Sequence, residues 1–435
     1  MLDLTGLVSQ LERTRLTRTR GRLINAIGPM IEAEIPGAIV GGLCEIEPNC
    51  LCEVVGFKGR RALLMPLQDT EGVKFGGDVW WRDDQISVAV GDALIGRIVD
   101  GLGEPIDGGP PLDIRTRRPV SAEAPDPLAR ALISQPLETG VRVIDGLLTV
   151  GRGQRISIMA GSGVGKSTLM GMLALNVKAD LNVICLIGER GREVREFIEH
   201  SLGPEGLAKT IMVVVTSDKS PALQVKGSFL ATTIAEHFRN QGKDVLLMMD
   251  SLTRLALAQR QIGLAAGEPP TTRGFTPSVF SLLPKLLERA GPGDNGGSIT
   301  GIYTVLVEGD DIHDPIGDAV RGIVDGHIVL SRKLASHGHY PAVDVLASLS
   351  RLMSRVADGT HQKVANRFRS ILAIWDENEE LIRLGAYRKG TAAHVDEAVD
   401  KYPHLKEFLC QAVEEPTEFS EAVAWMGTIL GAPQA

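Results

Sequence analysis

The stretch from Met159 to Met170, MAGSGVGKSTLM, decides how the rest of the chain is read. It fits the phosphate-binding pattern G-x-x-x-x-G-K-[ST] at every fixed position but the first, where Ala160 replaces glycine. The apolar run RISIMA leads into it. Lys166 then opens a segment with Leu169, Met172 and Leu173 on one helical face, giving the strand–loop–helix context that such a loop requires. Ala160 falls at the strand end, where one methyl is tolerated while φ stays negative. Gly161, Gly163 and Gly165, with Ser162 and Val164 between them and Thr168 beyond, let the backbone approach a phosphate and aim N–H groups at it. Lys166 is expected to reach the β- and γ-phosphates of ATP, and the Ser167 hydroxyl to take Mg²⁺.

Ligands of open α/β sheets bind beyond the carboxyl ends of the strands, and two further strand-like runs end on suitable chemistry. DVLLMMD delivers Asp250, a carboxylate placed to orient the Mg²⁺ shell. NVICLIG delivers Glu189 and Arg190. Glu189 would polarise an attacking water and Arg190 would balance developing phosphate charge. The plainer account of Glu189 is a carboxylate stabilised by a helix dipole.

Around this core, 435 residues leave room for about three domains at ~150 residues each. A composition 43% hydrophobic and 23% charged is that of a globular chain. The net charge of −8 argues against a whole-chain nucleic-acid binder, leaving room for a local basic patch, no apolar run approaches a spanning helix, and the start lacks a secretory h-region. The five cysteines suit a reducing cytoplasm. Cys50 and Cys52, with Cys44 nearby, read as small apolar side chains on one strand face, because no fourth ligand completes a tetrahedral site. The pair His337 and His339 gives no better metal site.

Four regions are expected. Residues 1–22 form a leader in which Leu4, Leu7, Val8 and Leu11 have helical spacing and Arg13, Arg15, Arg18, Arg20 and Arg22 follow. It is either a solvated charge run or an amphipathic partner helix with a basic flank for an acidic protein or lipid surface. Residues 23–92 carry short alternating strands, with a hairpin turning at Gly59, and predict a small closed β-barrel. Residues 93–355 alternate buried apolar strands with amphipathic segments and predict a doubly wound, RecA-like α/β core. Residues 356–435 lose the β texture and predict a helical domain.

The blocks AGSGVGKST, LIGERGREVREFIE, LLMMDSLTRLALAQR, GEPPTTRGFTPSVFSLLPKLLERAG, SITGIYTVLVEGDDIHDP, DGHIVLSRKLA and HYPAVDVLASLSRLM together resemble the rotary ATPase catalytic superfamily. Within it they are most similar to the type III protein export ATPases, and EVVGFKGRRALLMPL and LGAYRKG look more like the flagellar branch. The resemblance runs from about residue 22 to the end. It implies that Glu189 is the catalytic carboxylate, that Tyr340 packs against adenine, and that Arg351 is an arginine finger presented to a neighbouring subunit. Because one chain carries both the Glu189-type carboxylate and the Arg351-type finger, identical copies would complete one another in a homohexamer. A stalk-like regulatory protein, export chaperones and substrates, a membrane export gate and peripheral contact with anionic lipid are the partners implied, at the cytoplasmic face of the inner membrane.

The expected function is therefore ATP hydrolysis that energises type III export. A catalytic subunit of an ATP synthase is the nearest rival, disfavoured by the arginine-rich leader and the short helical carboxy terminus. A ring helicase would want a basic barrel with stacking aromatics, and Phe57, Phe75, Trp80 and Trp81 are too few and too scattered for that. A docking platform reset by hydrolysis would use the same catalytic parts.

Overall fold

The computed structural model describes residues 18–307 and 314–431; the leucine stripe of the leader lies outside them. Six strands close a barrel in the order β1-β2-β5-β4-β3-β6: β1 (Arg20–Ile27), β2 (Met30–Glu34), β3 (Leu43–Ile46), β4 (Cys50–Lys58), β5 (Arg61–Pro66) and β6 (Asp78–Asp83). Period-2 alternation builds it. Ile31 and Ala33 turn into the barrel while Glu34 faces out, and Gly59 turns β4 into β5 at φ +63. Cys44, Cys50 and Cys52 are buried in the barrel interior with Ile46, Val54 and Leu64.

The first strand begins at Arg20, inside the segment expected to be leader. A charge run concealed a strand: Gly21 and Leu23 are buried while Arg20 and Arg22 are exposed. Arg20 pairs with Asp78 at 2.6 Å and lies over the Trp80 ring, which fixes β1 against β6.

Two short strands, β7 (Ser87–Ala89) and β9 (Arg117–Pro119), pair with each other, while β8 (Ile98–Val99) joins the main sheet. That sheet runs β17-β16-β10-β15-β13-β11-β12-β8, with β10 (Arg155–Ala160), β11 (Leu181–Glu189), β12 (Thr210–Thr216), β13 (Asp244–Asp250), β15 (Ser298–Leu306), β16 (Gly326–Leu330) and β17 (Val343–Ser350); β14 (Gly291–Pro292) pairs off its path. All neighbours along this path are parallel except the edge strand β17. All nine residues of β11 are buried, as a strand covered on both faces requires.

The two faces feed two separate cores. Val183, Cys185 and Ile187 pack with the helices Pro221–Arg239 and Leu252–Ala265. Ile184 and Leu186 pack with the helix Lys166–Asn176 and with Phe368, Leu405, Phe408 and Met426 of the carboxy-terminal helices Gly359–Arg383, Ala393–Leu409 and Phe419–Leu430. Asp358 caps the first of these helices by accepting from Thr360 and His361 N–H groups.

On the first face, Arg289 is wholly buried and bonds Glu236 through two nitrogens while donating to Thr233 and the Val120 carbonyl. It ties the linker from the barrel to the core. Removing one partner of such a pair costs about 3–5 kcal/mol.

Candidate nucleotide site

The tips of β10, β11 and β13 open into one cavity of about 580 Å³, a size suited to a small-molecule ligand. Its walls include Gly161, Ser162, Gly163, Gly165, Lys166, Ser167, Thr168, Glu189 and Asp250. The chain leaves β10 at buried Ala160 and turns through Gly163 and Gly165, both at positive φ, into the helix Lys166–Asn176. That φ of +91 at Gly165 is closed to most side chains. Val164 is buried behind the loop, so its side chain anchors the loop while Ser162, Ser167 and Thr168 stay exposed.

Glu189 is aimed by two local devices. Gly188, at φ +65, accompanies a register shift between Ile187 and Glu189 against β12, and such a bulge re-aims the next side chain. A Cβ there would also meet Arg254 at 3.0 Å. Across the cleft, Asp250 ends β13 and Ser251 caps the following helix by accepting from the Arg254 N–H at 3.3 Å. The cap starts the helix at once, so Arg254 returns one turn later to grip Glu189 with two bonds, Nε to Oε1 at 3.1 Å and Nη2 to Oε2 at 3.2 Å.

Lys166 Nζ donates to Asp250 Oδ1, which also accepts from the Thr304 hydroxyl at 2.6 Å, and it lies 3.9 Å from Glu189. Burial pushes the Glu189 carboxyl up to about 7, helped by a hydrogen bond with Glu193 and the nearby Asp250 charge, while Lys166 and Arg254 pull the other way. Glu193 is held low, chiefly by its bond with Glu189. A carboxyl poised near neutrality in a cleft suits a general base. Among the described residues no cluster of three His, Cys, Asp or Glu forms a cation cage. The donors here are instead a hydroxyl, Ser167, and one carboxylate, Asp250, in a phosphate-sized cleft, a set that suits Mg²⁺ carried with phosphates.

Besides buried Val164, three expected site residues lie outside the cavity lining. Arg190 is turned away, its side chain 72% exposed and 3.6 Å from Glu193; Arg192, Arg254 and Arg332 join Lys166 as the cations that line the cleft. Tyr340 is half-exposed at the loop's shoulder, its ring 3.5 Å from where a Cβ on Gly165 would stand. Arg351 follows the edge strand β17, exposed, with its guanidinium donating to the Arg321 carbonyl at 3.2 Å. Arg254 was missed in the sequence: its place one turn past Asp250 is visible there, but its partner Glu189 lies 65 residues away at the end of another strand.

The family described as ATP synthase alpha/beta family, nucleotide-binding domain, matches residues 140–350. The T3SS EscN ATPase C-terminal domain matches residues 357–428. The chain is 49% identical over 434 residues to the flagellum-specific ATP synthase of Bacillus subtilis (strain 168), covering 98% of each. It is 48% identical over 430 residues to the type 3 secretion system ATPase of Xanthomonas euvesicatoria, covering 98% of this chain and 97% of the other. The solved structure of the assembled ATPase EscN from the enteropathogenic E. coli type III secretion system is 46% identical, with a TM-score of 0.90 over 94% of this chain and 100% of that one. EscN in complex with its central stalk EscO follows at 45% identity and a TM-score of 0.88 over the same shares. A phosphate loop, a strand-end aspartate and a poised glutamate in one cleft, on a chain this similar over nearly its whole length, make it a member of the flagellum-specific and type 3 secretion ATPases, enzymes that bind and hydrolyse ATP.

Proposed function

We propose that this chain works as a homohexameric ring whose hydrolysis of ATP energises flagellar type III export at the cytoplasmic face of the inner membrane. The observation that carries the reading is the division of the catalytic set. Glu189 lines the chain's own cleft, and Arg351 lies exposed beyond the edge strand, outside that cleft. Arg351 stands with other cations: burial, and then Arg321 and Arg351, hold the His327 imidazole below its ordinary range. A cationic edge on one copy and a phosphate cleft on the next make a heterologous interface that closes into a ring.

Within each cleft the loop N–H groups and Lys166 hold the phosphates of ATP, Glu189 takes the proton of the attacking water, and Arg254 keeps Glu189 oriented. Ser167 and Asp250 would hold Mg²⁺, which neutralises phosphate charge when bound. Tyr340 offers its ring face to the adenine, and Arg190, on the outer surface, is reassigned from charge balance in the cleft to pairing with Glu193. A stalk-like protein in the ring's centre, export chaperones with their substrates, the membrane export gate and anionic lipid are the partners this reading implies; the basic leader is the lipid contact. No described helix is long and apolar enough to cross a membrane, which fits a peripheral association.

The purified chain, with no second subunit, should form a ring on adding ATP and hydrolyse it. Lys166→Ala should lose ATP binding, measured by calorimetry, along with turnover. A monomer that hydrolyses at the full rate at every concentration sinks the ring. Relatives of the flagellar and secretion branches match almost equally, at 49% and 48% identity. The branch is read from which proteins disappear from the culture medium when the gene is deleted: flagellar subunits on this proposal, effector proteins on the alternative.

A further inference from the structure

Gln411 is 6% exposed and lies just after the helix Ala393–Leu409, far from the cleft in sequence. Both donors and one acceptor direction of its amide are used. Oε1 accepts from the Arg142 N–H at 2.8 Å, and Nε2 donates to the Gly140 and Glu415 carbonyls, both at 2.7 Å. Its backbone N–H donates to the carbonyl of Tyr340 at 2.9 Å.

These partners bracket the phosphate-loop helix. Gly140 abuts that helix's last residue, for a Cβ on Gly140 would stand 2.7 Å from the Asn176 Cβ. Tyr340 flanks its first turn, beside Gly165. Gln411 therefore spans from the aromatic ring's own backbone to the far end of the helix that carries Lys166. The segment around it is held by Arg142, whose guanidinium donates to the Phe408 and Cys410 carbonyls and to Thr417 and stacks on Trp425.

The geometry points to Gln411 as a positioning residue for nucleotide binding: it sets the height of Tyr340 above the loop and so tunes recognition of the base, without touching phosphate chemistry. The inference rests on the reading of Tyr340 as the adenine's stacking partner. A buried amide with three such bonds holds its neighbours in one arrangement, because an unmade bond there costs more than a made one returns. Tyr340 is half-exposed, and the Gln411 N–H is held by its carbonyl, so the two move together.

The test compares ATP with inorganic tripolyphosphate, which lacks the base, as ligands of the full-length protein in calorimetry. Tyr340→Ala should weaken ATP about 5- to 100-fold, the range of one base–aromatic stack, and leave tripolyphosphate unchanged. Gln411→Ala should weaken ATP about three- to tenfold, since it displaces the ring without removing it, with tripolyphosphate affinity and kcat at saturating ATP held within about twofold. In the Tyr340→Ala background it should add nothing. Gln411→Met, which keeps the side-chain volume, replaces the alanine variant if that one melts early. If Tyr340→Ala leaves ATP affinity intact, the stacking reading itself is wrong. If Tyr340→Ala behaves as expected but the Gln411 variants weaken both ligands alike, weaken neither, or keep their full effect without the ring, the positioning role is overturned and the Tyr340 reading stands.

Discussion

Arg351→Ala is expected to bind ATP, to assemble, and to hydrolyse it about 10³- to 10⁵-fold more slowly than the parent chain, a loss of about 4–7 kcal/mol of transition-state stabilisation. Among the described residues its guanidinium makes one bond, to the Arg321 carbonyl, and it is exposed beyond the edge strand. A structural role at such a place is worth about 1 kcal/mol or less, so the two explanations differ by orders of magnitude in rate. Mixing the variant with Lys166→Ala sharpens the test. At some interfaces the intact loop of one protein then faces the intact arginine of the other, and hydrolysis should return in part. Co-assembly, seen by pull-down of a tagged partner, with hydrolysis still at background would defeat the composite site.

Glu189→Gln should keep ATP affinity within a few-fold and lose most turnover, about 10²- to 10⁴-fold in kcat, because the isostere removes the basic oxygen and keeps the shape. The pH dependence follows from the environment. Only the ionised carboxylate can take a proton, and burial has pushed this group up to about 7. The wild-type kcat/KM should therefore rise as pH climbs through about 7 and flatten above it. Arg254 favours the ionised form, so Arg254→Ala should move that rise to higher pH as well as lowering the plateau. A Glu189→Gln enzyme turning over near the parent rate would leave the carboxylate as a helix-terminal charge and nothing more.

The parts of this architecture that depend on local pattern were legible. The loop, the apolar strands ending in Glu189 and Asp250, and the alternation of Ile31, Ala33 and Ile35 each follow from spacing within a few residues. What escaped depends on contacts between distant segments. Arg254 acquires meaning only when β11 and β13 lie side by side, and nothing near Gln411 announces that it meets Tyr340 and Gly140. Arg190 misled because adjacency to Glu189 in sequence is not adjacency in space: residues on either side of a strand end point in opposite directions. The start of β1 was hidden for a related reason. Arginines on the outward face of a barrel strand read like a solvated tail until Asp78 and Trp80 appear opposite them.

The sharing of one apolar core between the phosphate-loop helix and the last three helices bears on how the molecule is made. During synthesis the barrel, which closes on its own interior, is complete long before the ribosome reaches the end of the message. The loop is translated early too, yet the wall behind it stays open until Phe408 and Met426 emerge. Chains generally fold as units in the order they are made, so a nascent chain arrested before residue 393 should hold a finished barrel and fail to retain ATP. On that expectation the grip on nucleotide is completed only by the helices that carry Phe408 and Met426.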